Sequence, residues 1–279
     1  MSGGRLDRPR AVWIRRLADG HPLVFALLTT LAWVLAAGAL AGLSGLALHV
    51  PVGETMPQVL GTVFATAGLL AVAWRLGWLG PAGIAAAGGW RAWLAALVAL
   101  SYLVVVYWYA FFRDVSFDLG FLARSEAARS VVWRQLLVGA VEEILFRGVL
   151  LYALVRVWGR TARGILASAF ITAALFGVLH LLQVLGGSSV ESALAVVLEC
   201  VVSGIWWAAM ALTWESIWPV AVIHAISNMA VLIKALSIPG LVLPISGYVT
   251  ASLLEVPLIL VGVWSLVRLA PRPVVPDTA

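Results

Sequence analysis

The sequence is poor in charge, in cysteine and in lysine. Only 11% of its 279 residues are charged, against 63% that are hydrophobic; a soluble domain runs at about a quarter charged and about half apolar. A mean hydropathy of +1.04 points the same way. These figures exclude a soluble globular domain and leave a multi-span membrane protein, for which bilayer rules replace core-burial rules. The single cysteine, Cys200, excludes an intrachain disulfide and a cysteine-rich metal centre. Within an apolar segment it reads as a small buried hydrophobe. Lysine occurs once, at Lys234, among 18 basic residues. The net charge of +5 is not arranged as a basic stripe with interleaved aromatics, so nucleic acid is not an expected partner. Gly-x-Ser-x-Gly and HExxH are both absent, as are an internal repeat and a lipidation motif. An acyl-enzyme serine hydrolase, a zincin and an inverted-repeat transporter therefore have no sequence support.

What is present is a series of long apolar runs. Eight segments reach the roughly 20 residues a span needs: 23–48, 57–76, 91–112, 131–156, 163–185, 191–213, 217–236 and 241–269. The expected fold is all-α, a polytopic membrane helix bundle of about eight transmembrane helices. Its expected parts are a basic cytoplasmic segment at 1–22, one transmembrane domain at 23–270 and a disordered Pro-rich tail at 271–279. The first apolar run is too long for a signal-peptide core and reads as an uncleaved span. The last segment carries Pro244, Gly247 and Pro257 and is expected to be kinked or broken. Arginines crowd the N-terminus (Arg5, Arg8, Arg10, Arg15, Arg16) and the 156–163 turn, whereas 49–56 and 186–190 hold none. That alternation predicts both termini in the cytoplasm. The 113–130 loop, with three arginines against three acids, reads as a short surface helix. Tryptophans near segment ends, among them Trp74, Trp78, Trp90, Trp93, Trp133, Trp158, Trp214 and Trp218, suggest an interfacial belt.

Inside the spans stand polar residues that a bilayer disfavours. A charge near its centre costs about 2.5–3.5 kcal/mol on insertion scales. Glu142, Glu143 and Arg147 lie well inside segment 131–156. Glu143 and Arg147, four apart with the acid first, suit an ion pair on one face. Glu142 points to a different face, and its neighbour four residues on is Phe146. A carboxylate placed this way suits general-base work. His180 lies in the next segment, one turn after Phe176. His224 and Asn228 lie four apart in a third segment and offer two donors at one spot, which suits a developing oxyanion. Bundle sites are built from such inward-facing residues on neighbouring helices. With no paired serine, the chemistry expected is attack by an activated water. Activation by Glu142 directly, or on a metal held by Glu142, His180 and His224, are both compatible with the spacing. Glu199 and Glu255 are expected to line a groove or to pair with a polar neighbour. His21, His49, Glu215 and Lys234 read as segment-end residues.

Three motifs carry a resemblance. "EEILFR" at 142–147, "FGVLH" at 176–180 and "HAISN" at 224–228 match EExxxR, FxxxH and HxxxN in order. Over about residues 120–236 the chain thus resembles the CPBP or ABI family, which contains the type II CAAX prenyl proteases and bacterial relatives linked to bacteriocin processing, immunity and protein sorting. The resemblance implies an intramembrane protease with an eight-helix fold. It implies that Glu142 activates water with help from His180, and that His224 and Asn228 stabilise the oxyanion. Glu143, Arg147 and Phe176 are supporting residues, with a proton shared between Glu142 and Glu143 as the alternative. The family is described both as metalloproteases and as metal-free glutamate proteases; Asn228 suits an oxyanion donor better than a metal ligand, so no cofactor is favoured and zinc is the alternative. The expected partner is a membrane-bound protein or lipidated peptide. Short loops and arginine over lysine point to a bacterial plasma membrane. A non-enzymatic transporter or immunity factor using the same polar residues is the competing class.

Overall fold

A computed structural model describes residues 12–51, 55–113, 120, 124–237 and 244–269. The arginines before residue 12, the tail at 271–279, most of the 113–130 loop and the side chain of Lys234 lie outside the described residues.

The described chain is an all-helical polytopic bundle. Its elements are α1 (Val12–Gly20), α2 (Pro22–Leu48), α3 (Thr55–Leu76) and α4 (Trp90–Tyr107), which runs on as a π-helical turn over Trp108–Phe112. Next come α5 (Glu126–Glu143), a π-helical stretch over Ile144–Leu150, and α6 (Leu151–Trp158). Then follow α7 (Ala162–Leu179), with a 3₁₀ turn at His180–Val184, α8 (Val190–Trp214), α9 (Trp218–Ser237), α10 (Ile245–Leu254) and α11 (Val256–Leu269). Helix starts are marked by local chemistry: Ser125, Thr161 and Ser189 each accept a backbone N–H three residues on, the usual N-cap contact.

All eight apolar segments contain helix, but fewer than eight qualify as spans by length and apolarity. Five do: Pro22–Leu48, Thr55–Leu76, Trp90–Phe111, Ala162–Val184 and Val190–Trp214. A sixth is the pair α10 and α11, bent by 43° at Glu255. The expected break in the last segment is therefore there. Two segments lie outside that set: α5 to α6, interrupted by Glu142, Glu143 and Arg147, and α9, whose part up to Leu232 is an apolar helix. They carry the first and third motifs. The outer surface fits a lipid environment, with Leu35, Leu43, Leu97 and Leu260 each more than 60% exposed or close to it.

The tryptophan belt is only partly realised. Trp74, Trp90 and Trp133 are exposed, but Trp78 is buried edge-on between Phe25 and Tyr152. It sits in the turn after α3, where the chain folds back over α2 and α6, so its ring fills the core. Arg156, close over that ring, pairs with Asp19 and ties α6 to α1. His21 and His49 flank α2, and Glu215 ends α8 in the left-handed region, as segment-end residues should.

Three pairings place the polar residues: α5 against α9, α7 against α8, and α8 against the α10–α11 pair. The first depends on Gly139. A Cβ there would stand 2.7 Å from the carbonyl oxygen of Ala221 and 3.1 Å from Cβ of Ala225. Close approach of this kind is how small residues let membrane helices pack. Gly139→Leu is expected to destabilise the bundle by about 1–3 kcal/mol through overpacking, and to separate Glu142 from α9. Gly38→Leu, where a Cβ meets nothing within 4 Å, is the control. Thermal unfolding in detergent checks both.

Candidate active site

α5 ends on the two glutamates, and the helix widens immediately after them. The Ile144–Leu150 stretch is wholly buried and π-helical, a geometry that favours functional positions. Arg147 lies within it and keeps its four-residue partner: Nη1 donates to Oε1 of Glu143 at 2.8 Å, with both side chains buried. The expected ion pair is present. Nε and Nη2 of Arg147 have no hydrogen-bond partner among the described residues. Instead the guanidinium lies over Phe176 and Trp207, at 4.7 and 5.1 Å from their centroids, where ring quadrupoles attract a cation. On α8, Gly204 leaves room for this, since a Cβ there would come within 3.1 Å of Nη2.

His224 joins the glutamates from α9. Its Nδ1 lies 2.9 Å from Oε1 of Glu143, and its Nε2 lies 3.5 Å from Oε2 of Glu142. Glu143 therefore has two tasks: it neutralises Arg147 and it orients His224. Only the first was legible from spacing, because the second joins residues 81 apart. The imidazole is packed between Trp207 and the edge of Phe176, with centroids 4.5 and 5.5 Å away. Phe176 also touches Phe146 and His180. It is the shared wall of both histidines rather than a bystander on the face of His180.

His180 stands where α7 tightens into the 3₁₀ turn. Its Nδ1 lies 3.0 Å from the carbonyl oxygen of Phe176. A carbonyl only accepts, so Nδ1 carries the hydrogen and Nε2 presents a lone pair. Asn228 donates through Nδ2 to Oε1 of Gln135 on α5, at 3.1 Å. The amide has a second hydrogen left to donate. Gln135 was missed by sequence reasoning. The signal was available: it precedes Glu142 by seven residues, two turns, and so shares its face.

These side chains open onto one cavity of about 340 Å³. Its wall includes Glu142, His180, Asn228, Gln135, Glu199, Tyr107 and Tyr248. Glu142 is partly exposed there while Glu143 is not exposed at all. Two adjacent carboxylates thus have different surroundings: one faces space for a reactant, the other faces only its partners. Among the described residues, no three of His, Cys, Asp and Glu are arranged to hold a metal ion. His224 uses Nδ1 on Glu143 and turns Nε2 to Glu142.

Residues 125–230 match the family model described as type II CAAX prenyl endopeptidase Rce1-like. No curated protein and no solved structure matches the chain. The matched segment begins at the N-cap of α5, ends two residues past Asn228, and contains all three motifs. Over that segment, which is less than half of the chain, this membrane protein is similar to the Rce1-like type II CAAX prenyl endopeptidases, and the match supports a CPBP or CAAX protease-like relationship.

Proposed function

We propose that the chain is an intramembrane endopeptidase that cleaves a membrane-associated protein or lipidated peptide with a water activated by Glu142. The observation that carries this reading is the shared cavity: Glu142, His180 and Asn228 line it, and His224 stands 3.5 Å from Glu142. Glu142 takes a proton from water, and the Nε2 lone pair of His180 holds that water in line. As the carbonyl becomes tetrahedral, the free hydrogen of Asn228 donates to the oxyanion, joined by the Nε2–H of His224 in its doubly protonated form. Glu143 and Arg147 hold His224 and do not meet substrate. The mechanism is metal-free in this reading, because Asn228 suits an oxyanion donor better than a metal ligand. The site serves a bacterial plasma-membrane protein with cytoplasmic termini.

Mass spectrometry of membrane-protein termini tests the proposal. Cells carrying the wild-type chain are expected to show new termini that vanish with Glu142→Gln. The bent α10–α11 pair supports the second reading, a transport or immunity role; full rescue of a deletion phenotype by Glu142→Gln would favour it. Asn228→Ala is expected to lower kcat by about 10²–10³-fold, the usual cost of one oxyanion donor, while KM changes little. Steady-state kinetics on the substrate so found checks this.

A further inference from the structure

A second polar cluster reaches the same cavity through α8, and the peptidase mechanism above does not use it. Glu199 on α8 lines the cavity. Its Oε1 accepts from the Tyr107 hydroxyl at 2.9 Å and lies 3.0 Å from Oγ of Ser203. The same Ser203 oxygen lies 2.9 Å from Oε2 of Glu255, at the break between α10 and α11. Trp206 donates to that Oε2 at 3.0 Å, and Oε1 of Glu255 has no partner among the described residues. Ser203 and Glu255 are both fully buried. Neither carboxyl is in an ion pair among the described residues. The other ionisable side chains at the cluster are Tyr107, Cys200 and Tyr248; Glu142 and His180 line the same cavity, and Arg147, beyond Cys200 and Gly204, is paired with Glu143.

Hydrogen counting constrains this chain of contacts. A serine hydroxyl has one hydrogen, so Ser203 can donate to only one of the two carboxyls. The other contact requires a hydrogen on the carboxyl itself. Two ionised carboxylates bridged by one hydroxyl would leave a lone pair facing a lone pair, inside a bilayer and with no cation paired to either among the described residues. The bridge is complete only when the pair holds one proton, on Glu255 or on Glu199.

We propose that Glu199 is the acid of the reaction, giving its proton to the departing nitrogen, with Ser203 and Glu255 as positioning residues that restore it. The role rests on the peptidase reading. Glu142 takes a proton from water as the C–O bond forms. The C–N bond then breaks with its electron pair passing to nitrogen, and nitrogen takes the Glu199 proton. Before that transfer the pair's one proton has passed to Glu199 through the Ser203 hydroxyl, and afterwards the proton left on Glu142 refills the pair through cavity water. The sum is one water added across one peptide bond.

Two measurements on the full chain in lipid nanodiscs test it. Infrared spectra at neutral pH are expected to contain a protonated-carboxyl C=O band that Glu255→Gln or Glu199→Gln removes. Absence of such a band overturns the proposal whatever the substrate. The second measurement uses a fluorogenic prenylated CAAX-type peptide and a twin in which the scissile amide is a thioester. A thiolate leaves without a proton, whereas an amine does not. Glu199→Gln is expected to slow amide cleavage about 10²–10⁴-fold, the range for general acid catalysis, and thioester cleavage less than about 10-fold. Ser203→Ala, which keeps both carboxyls, is expected to show the same selective loss and stands in if the glutamine variant does not fold. Equal losses on both twins would mean a structural role and sink the acid assignment. Glu142→Gln is expected to abolish both. If it leaves both intact, or if the wild-type chain cleaves neither, the peptidase reading itself falls, and the acid role with it.

Discussion

Replacing Glu142 by alanine is expected to lower peptide cleavage by about 10²–10⁴-fold or more, with no loss of the folded protein. Both halves follow from its surroundings. Glu142 faces the cavity and approaches α9 at His224, 3.5 Å away. The helix it ends is held by Gly139 against Ala221 and by Glu143, neither of which the substitution touches. Glutamine at this position keeps the volume and loses the base, so it should fail as completely. Single-turnover assays on purified protein, with thermal unfolding alongside, check the pair of claims. An alanine variant that unfolds early would assign Glu142 to architecture instead.

Arg147→Ala is expected to show the opposite pattern, a loss of stability first. It leaves Glu143 buried with no cation four residues away, and removing one partner of a buried pair costs about 3–5 kcal/mol. The loss should be larger still because Arg147 packs on Phe176 and Trp207, contacts that alanine does not replace. Activity should fall as well, because Glu143 also orients His224. The double variant Arg147→Met with Glu143→Gln removes both charges and keeps the volume. It is expected to regain much of the stability and little of the activity, since His224 would face an amide in place of a carboxylate. Thermal melting and cleavage rates on the three proteins separate the two roles of Glu143. Equal stability of Arg147→Ala and the wild-type chain would show that the pair carries no load.

The contrast between the two sites marks what spacing reveals. The ion pair of Glu143 and Arg147 was legible because both lie on one helix, and α-helical periodicity decides which residues four apart meet. Glu142 was legible by elimination, since nothing on its own helix offsets it. The three motifs gave the helices that must converge, and the bend at 241–269 was announced by its prolines. Contacts that cross between helices were not legible. His224 to Glu143, Asn228 to Gln135 and Ser203 to Glu255 span 81, 93 and 52 residues, and nothing in local spacing fixes which helices neighbour one another. Trp78 was misread for the same reason: a tryptophan at a segment end looks interfacial until another helix folds over it. Glu199 and Glu255 were recognised as costly, but their joint role depends on Ser203, whose small hydroxyl raises no alarm in an apolar run.

The π-helical stretch at Ile144–Leu150 bears on how this protein would change over time. Seven residues wound with i→i+5 bonding take up about one more residue than an α-helix of the same rise. A single deletion there would let the chain close into ordinary α-helix while α5 and α6 kept their faces toward their neighbours. Such a lesion would improve the backbone hydrogen bonding and leave the membrane insertion intact. It would also turn Arg147 relative to Glu143 and release His224. Restoring an ordinary α-helix here is thus a disabling change, because the regular backbone is gained at the expense of the buried Glu143–Arg147 pair that orients His224.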